Sequence, residues 1–141
     1  MYVYKALVDC LPGSNKLKLV SIVNQSSHSV IEPLSLSMYD FGVVCQANAS
    51  YCGVILVRVN NVDQHKEFVL DHFCVLPGQR RRGYGSALFG CIKEEMKPGD
   101  EAYLTTERDP PLWKSDLLRR WGWEPVEGEE KQQQQYRLVY S

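Results

Sequence analysis

Apolar residues at alternate positions mark a strand, and apolar residues every third or fourth position mark a helix. The two signatures alternate along this chain. Tyr2 to Val8 is rich in β-formers and stops at Leu11-Pro12-Gly13-Ser14, which predicts a first strand. From Asn15 to Asn24 the pattern is mixed: Leu17, Val20 and Val23 suit a helix, while Lys16-Leu17-Lys18-Leu19 alternates like a strand. Pro33 to Phe41 predicts a short helix ended near Gly42. Val43 to Ala47 and Gly53 to Asn60 predict two strands around a tight turn at Ala49-Ser50-Tyr51. A polar turn, Asn60 to Lys66, leads to another strand from Glu67 to Val75, so the three form an antiparallel meander.

A helix is predicted from Tyr84 to Met96, closed by Lys97-Pro98-Gly99, and a strand from Ala102 to Thr106. Asp109-Pro110-Pro111 reads as a helix start, with Asp as cap and proline in the first turn. Trp113, Leu117 and Trp121 then recur at helical spacing beside Leu118, and Gly122 ends the helix. Glu124 to Val126 and Tyr136 to Tyr140 predict the last strands, with Gln132 to Gln135 at a solvated hairpin tip.

Composition narrows the picture. A chain of 141 residues, 44% hydrophobic and 23% charged and free of repeats or linkers, predicts one soluble domain over 1–141. A net charge of -1 argues against a nucleic-acid partner. No apolar run suits a bilayer, and Met1-Tyr2-Val3-Tyr4-Lys5 does not read as a signal peptide, so no membrane partner is expected. Cys10, Cys45, Cys52, Cys74 and Cys91 are odd in number and contain no Cys-x-x-Cys pair. That argues against a disulfide framework or a metal site and for small buried thiols in the reducing cytoplasm.

One loop carries the candidate chemistry. Between the strand ending at Val75 and the helix starting at Tyr84 lie Pro77, Arg80, Arg81 and Arg82, then Gly83 and Gly85 spaced Gly-x-Gly. Glycines let backbone approach a ligand, and the free amides of a helix start favour an anion, as do the three guanidinium groups. A lone Gly-x-Gly also fits a plain basic surface turn. Gly78 to Gly83 has the spacing of a Walker A loop, but Tyr84 stands where its lysine belongs. The third glycine of a dinucleotide fingerprint is missing as well.

Arg80-Arg81-Arg82-Gly83-Tyr84-Gly85, with Val75-Leu76-Pro77 upstream, resembles the acetyl-CoA signature of the GNAT (Gcn5-related N-acetyltransferase) superfamily, Gln/Arg-x-x-Gly-x-Gly/Ala after Val-x-Pro. Trp121-Gly122-Trp123-Glu124 resembles that family's Gly-aromatic step at a helix end. The resemblance spans essentially the whole chain. It implies a helix over 15–24 and an α/β (α+β) fold, a mixed and mostly antiparallel sheet flanked by helices in the order β-α-α-β-β-β-α-β-α-β-β. It also implies acetyl-CoA as co-substrate, an amine as acceptor and direct transfer. Backbone from Arg81 to Ser86, through Arg82, Gly83, Tyr84 and Gly85, would hold the pyrophosphate, with the Arg80 guanidinium near it. Phe73, Cys74 and Val75 would meet the pantetheine arm.

An ammonium must lose a proton before it attacks a thioester. Asp71 is the first candidate base: on a regular strand it shares a face with Val69, Phe73 and Val75. His72 is its rival if a bulge turns it, and Glu107 is a third. The family's usual acid, a tyrosine four residues before the Gly-aromatic step, is Leu118 here, and an asparagine often found farther upstream is Pro111. Tyr136 and Tyr140 are the phenols to replace that acid, unless the thiolate leaves unaided. The acceptor is expected to be a primary amine of a small molecule or peptide. The short chain favours the small molecule, and the protein is expected as a monomer or homodimer. The alternative is an inactive GNAT-like domain that binds acyl-CoA or a protein partner.

Overall fold

The computed structural model describes residues 2–26, 31–76, 83–107, 110–127 and 133–140, without the side chains of Ser26 and Glu107. The chain runs β1 (Tyr2–Ala6), α1 (Gly13–Ser26), β2 (Phe41–Ala47), β3 (Ser50–Val62), β4 (His65–Val75), α2 (Tyr84–Glu95), β5 (Glu101–Glu107), α3 (Leu112–Arg120), β6 (Glu124–Val126) and β7 (Gln133–Val139). Two 3-10 turns, Val8–Cys10 and Pro33–Met38, flank α1. One seven-stranded sheet has the order β1-β2-β3-β4-β5-β7-β6. Its described pairs are antiparallel except β4 with β5. This is the expected mixed, mostly antiparallel architecture.

The apolar run Val54–Val57 shows why the centre of the sheet is covered on both sides. Ile55 and Val57 join a core with Phe73, Leu88, Phe89 and Leu118, while Val54 and Leu56 join a second core with Leu19, Val23 and Leu36. A strand buried on both faces needs no polar alternation. The mixed pattern after Asn15 resolves as helix, with Leu19, Val20, Ile22 and Val23 buried but Leu17 61% exposed. Three of the thiols are buried as expected (Cys45, Cys52 and Cys74), whereas Cys10 is exposed and Cys91 half-buried. Burial and the contact with Cys52, whose sulfur lies 3.1 Å away, push the Cys45 thiol up to about 12.

Several boundaries differ from the sequence pattern. The second helix is a 3-10 turn ending at Met38, because Phe41 is taken into β2 opposite Val57. The β2–β3 turn sits on Asn48 and Ala49, both at positive φ (52° and 65°), and Ala47 pairs with Ser50. A two-residue hairpin closed by a type I′ turn uses that left-handed pair. Gln133, Gln134 and Gln135 are strand, not hairpin tip: they pair with Glu107, Thr106 and Thr105. The ladder uses backbone groups, so a polar run serves on an open face. Pro111 occupies the cap position of α3, with no side-chain cap bond; Asp109 lies outside the described residues. Gly122, at φ 85°, ends α3: its amide donates to the Arg119 carbonyl and the Trp123 amide to that of Leu118. No helix among the described residues is long and apolar enough to cross a membrane.

Asp100 ties three elements together. It is 4% exposed, and its carboxylate accepts the amides of Lys66 and Lys97, each at 2.8 Å. Burial pushes its pKa up, but these amides, with Lys66 and His65 nearby, outweigh that and hold it below the ordinary value. Asp100→Ala strands two amides and is expected to cost about 2 kcal/mol in denaturant melts. A depressed carboxyl stabilises the fold above the unfolded pKa of about 3.9 and loses that contribution as pH falls through the folded value. Acid melts should therefore show a pH-dependent loss below about pH 4 that Asp100→Asn reduces.

Candidate functional site

The site is built where β4 changes register. Leu56 of β3 pairs with His72, but the next residue, Val57, pairs with Leu70, which leaves Asp71 as the extra residue of a β-bulge. Before the bulge, Phe68 and Leu70 face the core under α2; after it, Phe73 and Val75 do. The expectation that Val69, Asp71, Phe73 and Val75 share one face is therefore corrected. His72 and Cys74 pair with Leu56 and Val54, on the face covered by α1.

The bulge also sets where β4 leaves β5. The two pair in parallel over Glu67–Leu70 with Glu101–Leu104, and the ladder stops there. Beyond it β4 stays on β3, with the Leu76 amide donating to the Cys52 carbonyl, while β5 stays on β7 as far as Glu107. A wedge thus opens between two strands of the sheet.

The N-terminus of α2 stands beside the wedge. Gly83 caps it at φ 79°, a left-handed conformation, and nothing lies within 4 Å of a Cβ built there. The backbone angle favours glycine there. Gly85 has a different reason: its Cβ would lie 2.4 Å from Leu117 Cδ2 and 3.3 Å from Phe73 Cζ. To the close approach to a ligand that the sequence suggested, the structure adds close packing of α2 on α3 and β4. Gly85→Ala is expected to cost about 2 kcal/mol in a denaturation experiment, because Leu117 must move. Trp121 Nε1 donates to Ser86 Oγ at 3.2 Å and ties α3 to the first turn of α2.

Between these elements is a cavity of about 340 Å³. Val75, Gly83, Tyr84, Gly85 and Ser86 line one side; Leu112, Trp113, Asp116, Leu117 and Arg120 of α3 line the other. The first amides of α2 have no partner within their helix and carry its positive dipole end. Arg120 adds a cation that the sequence reading missed. Its only sequence signal is its position in the last turn of an amphipathic helix. The lining suits an anionic group with an apolar arm. Arg80, Arg81 and Arg82 lie outside the described residues. Phe73 packs its ring on Phe89 and Trp113, at centroid distances of 4.6 and 5.9 Å, and the Cys74 side chain is buried on the opposite face. These two can meet a ligand in the wedge only through backbone.

The α1 face of the bulge holds the titratable groups. Asp71 is bound by Arg58 in a two-pronged pair, Nε to Oδ2 at 2.7 Å and Nη2 to Oδ1 at 3.1 Å. His72 is half-buried, and burial pushes its pKa down against the opposing pull of Asp71. Tyr39 meets the His72 ring edge-on, with centroids 6.2 Å apart. Burial and then Asp71 push the Tyr39 hydroxyl up, against Arg58. Arg58 and Tyr39 escaped the sequence reading. Arg58 could have been suspected from the polar break it makes after Val54–Val57.

The remaining candidates lie on other elements. Tyr136 pairs with Leu104, level with the apex of the wedge, and packs half-buried on the α2–α3 core. Tyr140 lies at the other end of β5, its amide donating to the Asp100 carbonyl. Leu118 is fully buried and has no proton to give. The side chain of Glu107 is outside the described set. On the open face, potential metal-ligand atoms of His65, Glu67 and Glu101 lie within 4.8 Å of one another. Glu101 there already accepts from Arg137 and from the Tyr103 hydroxyl.

No family model matches the chain, and no curated protein sequence does. Solved structures do. Naa50 of Arabidopsis thaliana, in complex with the bisubstrate analogue CoA-Ac-MVNAL, is similar over 99% of this chain and 100% of that one, with TM-score 0.79 and 13% identity. The NatC complex bound to Gag peptide and CoA gives 0.76 at 12% identity, covering 100% of both chains. A GNAT-family acetyltransferase of Bacillus cereus gives 0.70 at 16%, covering 99% of this chain and 97% of that one. Backbones that superpose end to end while few residues agree share an architecture: this chain has the GNAT acetyltransferase fold.

Proposed function

We propose that the chain is an acetyl-CoA-dependent N-acetyltransferase that transfers acetyl directly to a primary amine. The observation that carries this reading is the wedge: β4 and β5 part at a bulge, with a helix N-terminus and a cavity on one face and His72 on the other. In the structures compared above, Naa50 holds a CoA-linked bisubstrate analogue and NatC a peptide and CoA.

The amides of Gly83, Tyr84, Gly85 and Ser86, with Arg120, would hold the pyrophosphate, and the arginines of the preceding loop would add charge. Backbone of Phe73, Cys74 and Val75 would align the pantetheine arm. Acetyl-CoA supplies a thioester whose carbonyl carbon takes the amine while the C–S bond breaks. His72 removes the proton from the acceptor. Its depressed pKa leaves it neutral near pH 7, which a base requires. Asp71, held by Arg58, is the partner of this histidine and not the base itself. A peptide α-amine, with a pKa of about 7.7–8.0, matches such a base better than a lysine-type amine at about 10.4. We therefore place the acceptor among peptide N-termini ahead of small amines. With five scattered cysteines and an acetyl-CoA requirement, the cytoplasm is the compartment this reading calls for.

The test is acetyl-CoA-dependent thiol release against a panel of short peptides, lysine-bearing peptides and polyamines. Turnover with free N-terminal peptides supports the reading. Tight CoA binding without turnover on any amine would instead favour a binding domain, the outcome to which the buried Leu118 lends weight.

A further inference from the structure

We infer that Tyr39 is a positioning residue for His72, holding the imidazole at the bulge with the face of its ring environment fixed by aromatic contact. This rests on the reading of His72 as the base, and goes beyond it by naming what orients that base.

The placement of Tyr39 is pinned by its neighbours. Its amide donates to the Leu36 carbonyl at 3.3 Å, closing the 3-10 turn. The next residue, Asp40, is stapled twice to β3: its amide donates to the Val57 carbonyl at 2.9 Å, and its carboxylate accepts the Val59 amide at 2.6 Å. Those two β3 residues flank Arg58, which holds Asp71. One short segment of β3 thus fixes both neighbours of His72: Tyr39 through Asp40, and Asp71 through Arg58. His72 itself pairs with Leu56, one residue before that segment. Among the described residues, the charge that acts on its titration is Asp71 on its own strand; Arg58 of β3 pairs with that carboxylate, and Tyr39, at the end of the 3-10 turn, lies against the ring.

The interplanar angle of 79° is an edge-to-face arrangement, which fixes ring orientation better than an aliphatic neighbour does. It also excludes water from one side of the imidazole, and this exclusion favours the neutral form. The ring, and not the hydroxyl, supplies both effects. Tyr39→Phe should therefore behave as the parent, whereas Tyr39→Leu should not.

The experiment measures the His72 titration by NMR and the pH profile of kcat, on both variants and the parent, after thermal melts confirm that each is folded. In Tyr39→Leu the His72 midpoint is expected to rise toward the ordinary histidine value, and kcat to fall roughly tenfold with acetyl-CoA KM unchanged. Tyr39→Phe should keep the parental midpoint and kcat within about twofold. An unmoved midpoint in Tyr39→Leu overturns the inference, as does a Tyr39→Phe variant as impaired as Tyr39→Leu. If the parent acetylates nothing, the NMR arm still decides: a shifted midpoint in Tyr39→Leu alone supports the positioning role while the reading of His72 as base falls.

Discussion

Replacing His72 by alanine is expected to lower kcat by roughly 10²–10³ while acetyl-CoA affinity stays within about twofold. The separation follows from where the residue lies. Its side chain is on the α1 face, and the cavity that suits the cofactor is on the α2–α3 face. Burial depresses the His72 pKa, so activity should be present at neutral pH and lost as pH falls through that depressed value. In His72→Ala this acid limb should disappear. Asp71→Asn is expected to be milder, because it loosens Arg58 and leaves the imidazole in place. The comparison decides between the two adjacent candidates. If Asp71→Asn costs more than His72→Ala, or if the acid limb survives the loss of His72, the carboxylate is the base.

Neither residue's placement was legible from its strand alone. The alternation around Val69 and Phe73 describes a regular strand, and a bulge leaves no mark in periodicity. Its evidence is the slip from Leu56–His72 to Val57–Leu70, which exists only once two strands are paired. The architecture was far more legible. Val54–Val57 can be apolar throughout only in a strand covered on both faces, and Gly122 ends α3 where the apolar spacing stops. Local rules failed where tertiary structure set the terms. Pro33–Met38 is too short between α1 and β2 to settle as an α-helix, and Gln133–Gln135 became strand because β5 offered a ladder. Gly85 was noticed for its spacing, and its packing against Leu117 and Phe73 is a second cause that spacing does not show. Tyr39 sits far from the motif in sequence and reaches the site through bonds made by Asp40, so no spacing rule would find it.

Gly83→Asp should reduce CoA affinity by about 100-fold, close to 3 kcal/mol, in calorimetry. The substitution changes two things, and the structure separates them. The left-handed φ of 79° strains any residue with a Cβ, by about 1 kcal/mol, with Asp and Asn among the least affected. Space is not the obstacle, since nothing lies within 4 Å of the added Cβ. Charge is. A carboxylate at the cap of α2 would take the helix-start amides for itself, as an N-cap Asp does, and would repel a pyrophosphate beside it. At an effective dielectric of about 20, two unit charges some 5 Å apart repel by about 3 kcal/mol, the source of the expected loss. Gly83→Asn is the matched control: it carries the same strain and a capping oxygen but no charge. It should lose about tenfold or less, and raising the salt concentration should recover part of the affinity in Gly83→Asp and little in Gly83→Asn. Equal losses in the two variants would mean that cap geometry, and not an anion, is what Gly83 serves. Undiminished CoA affinity in folded Gly83→Asp would remove the start of α2 from the cofactor site altogether.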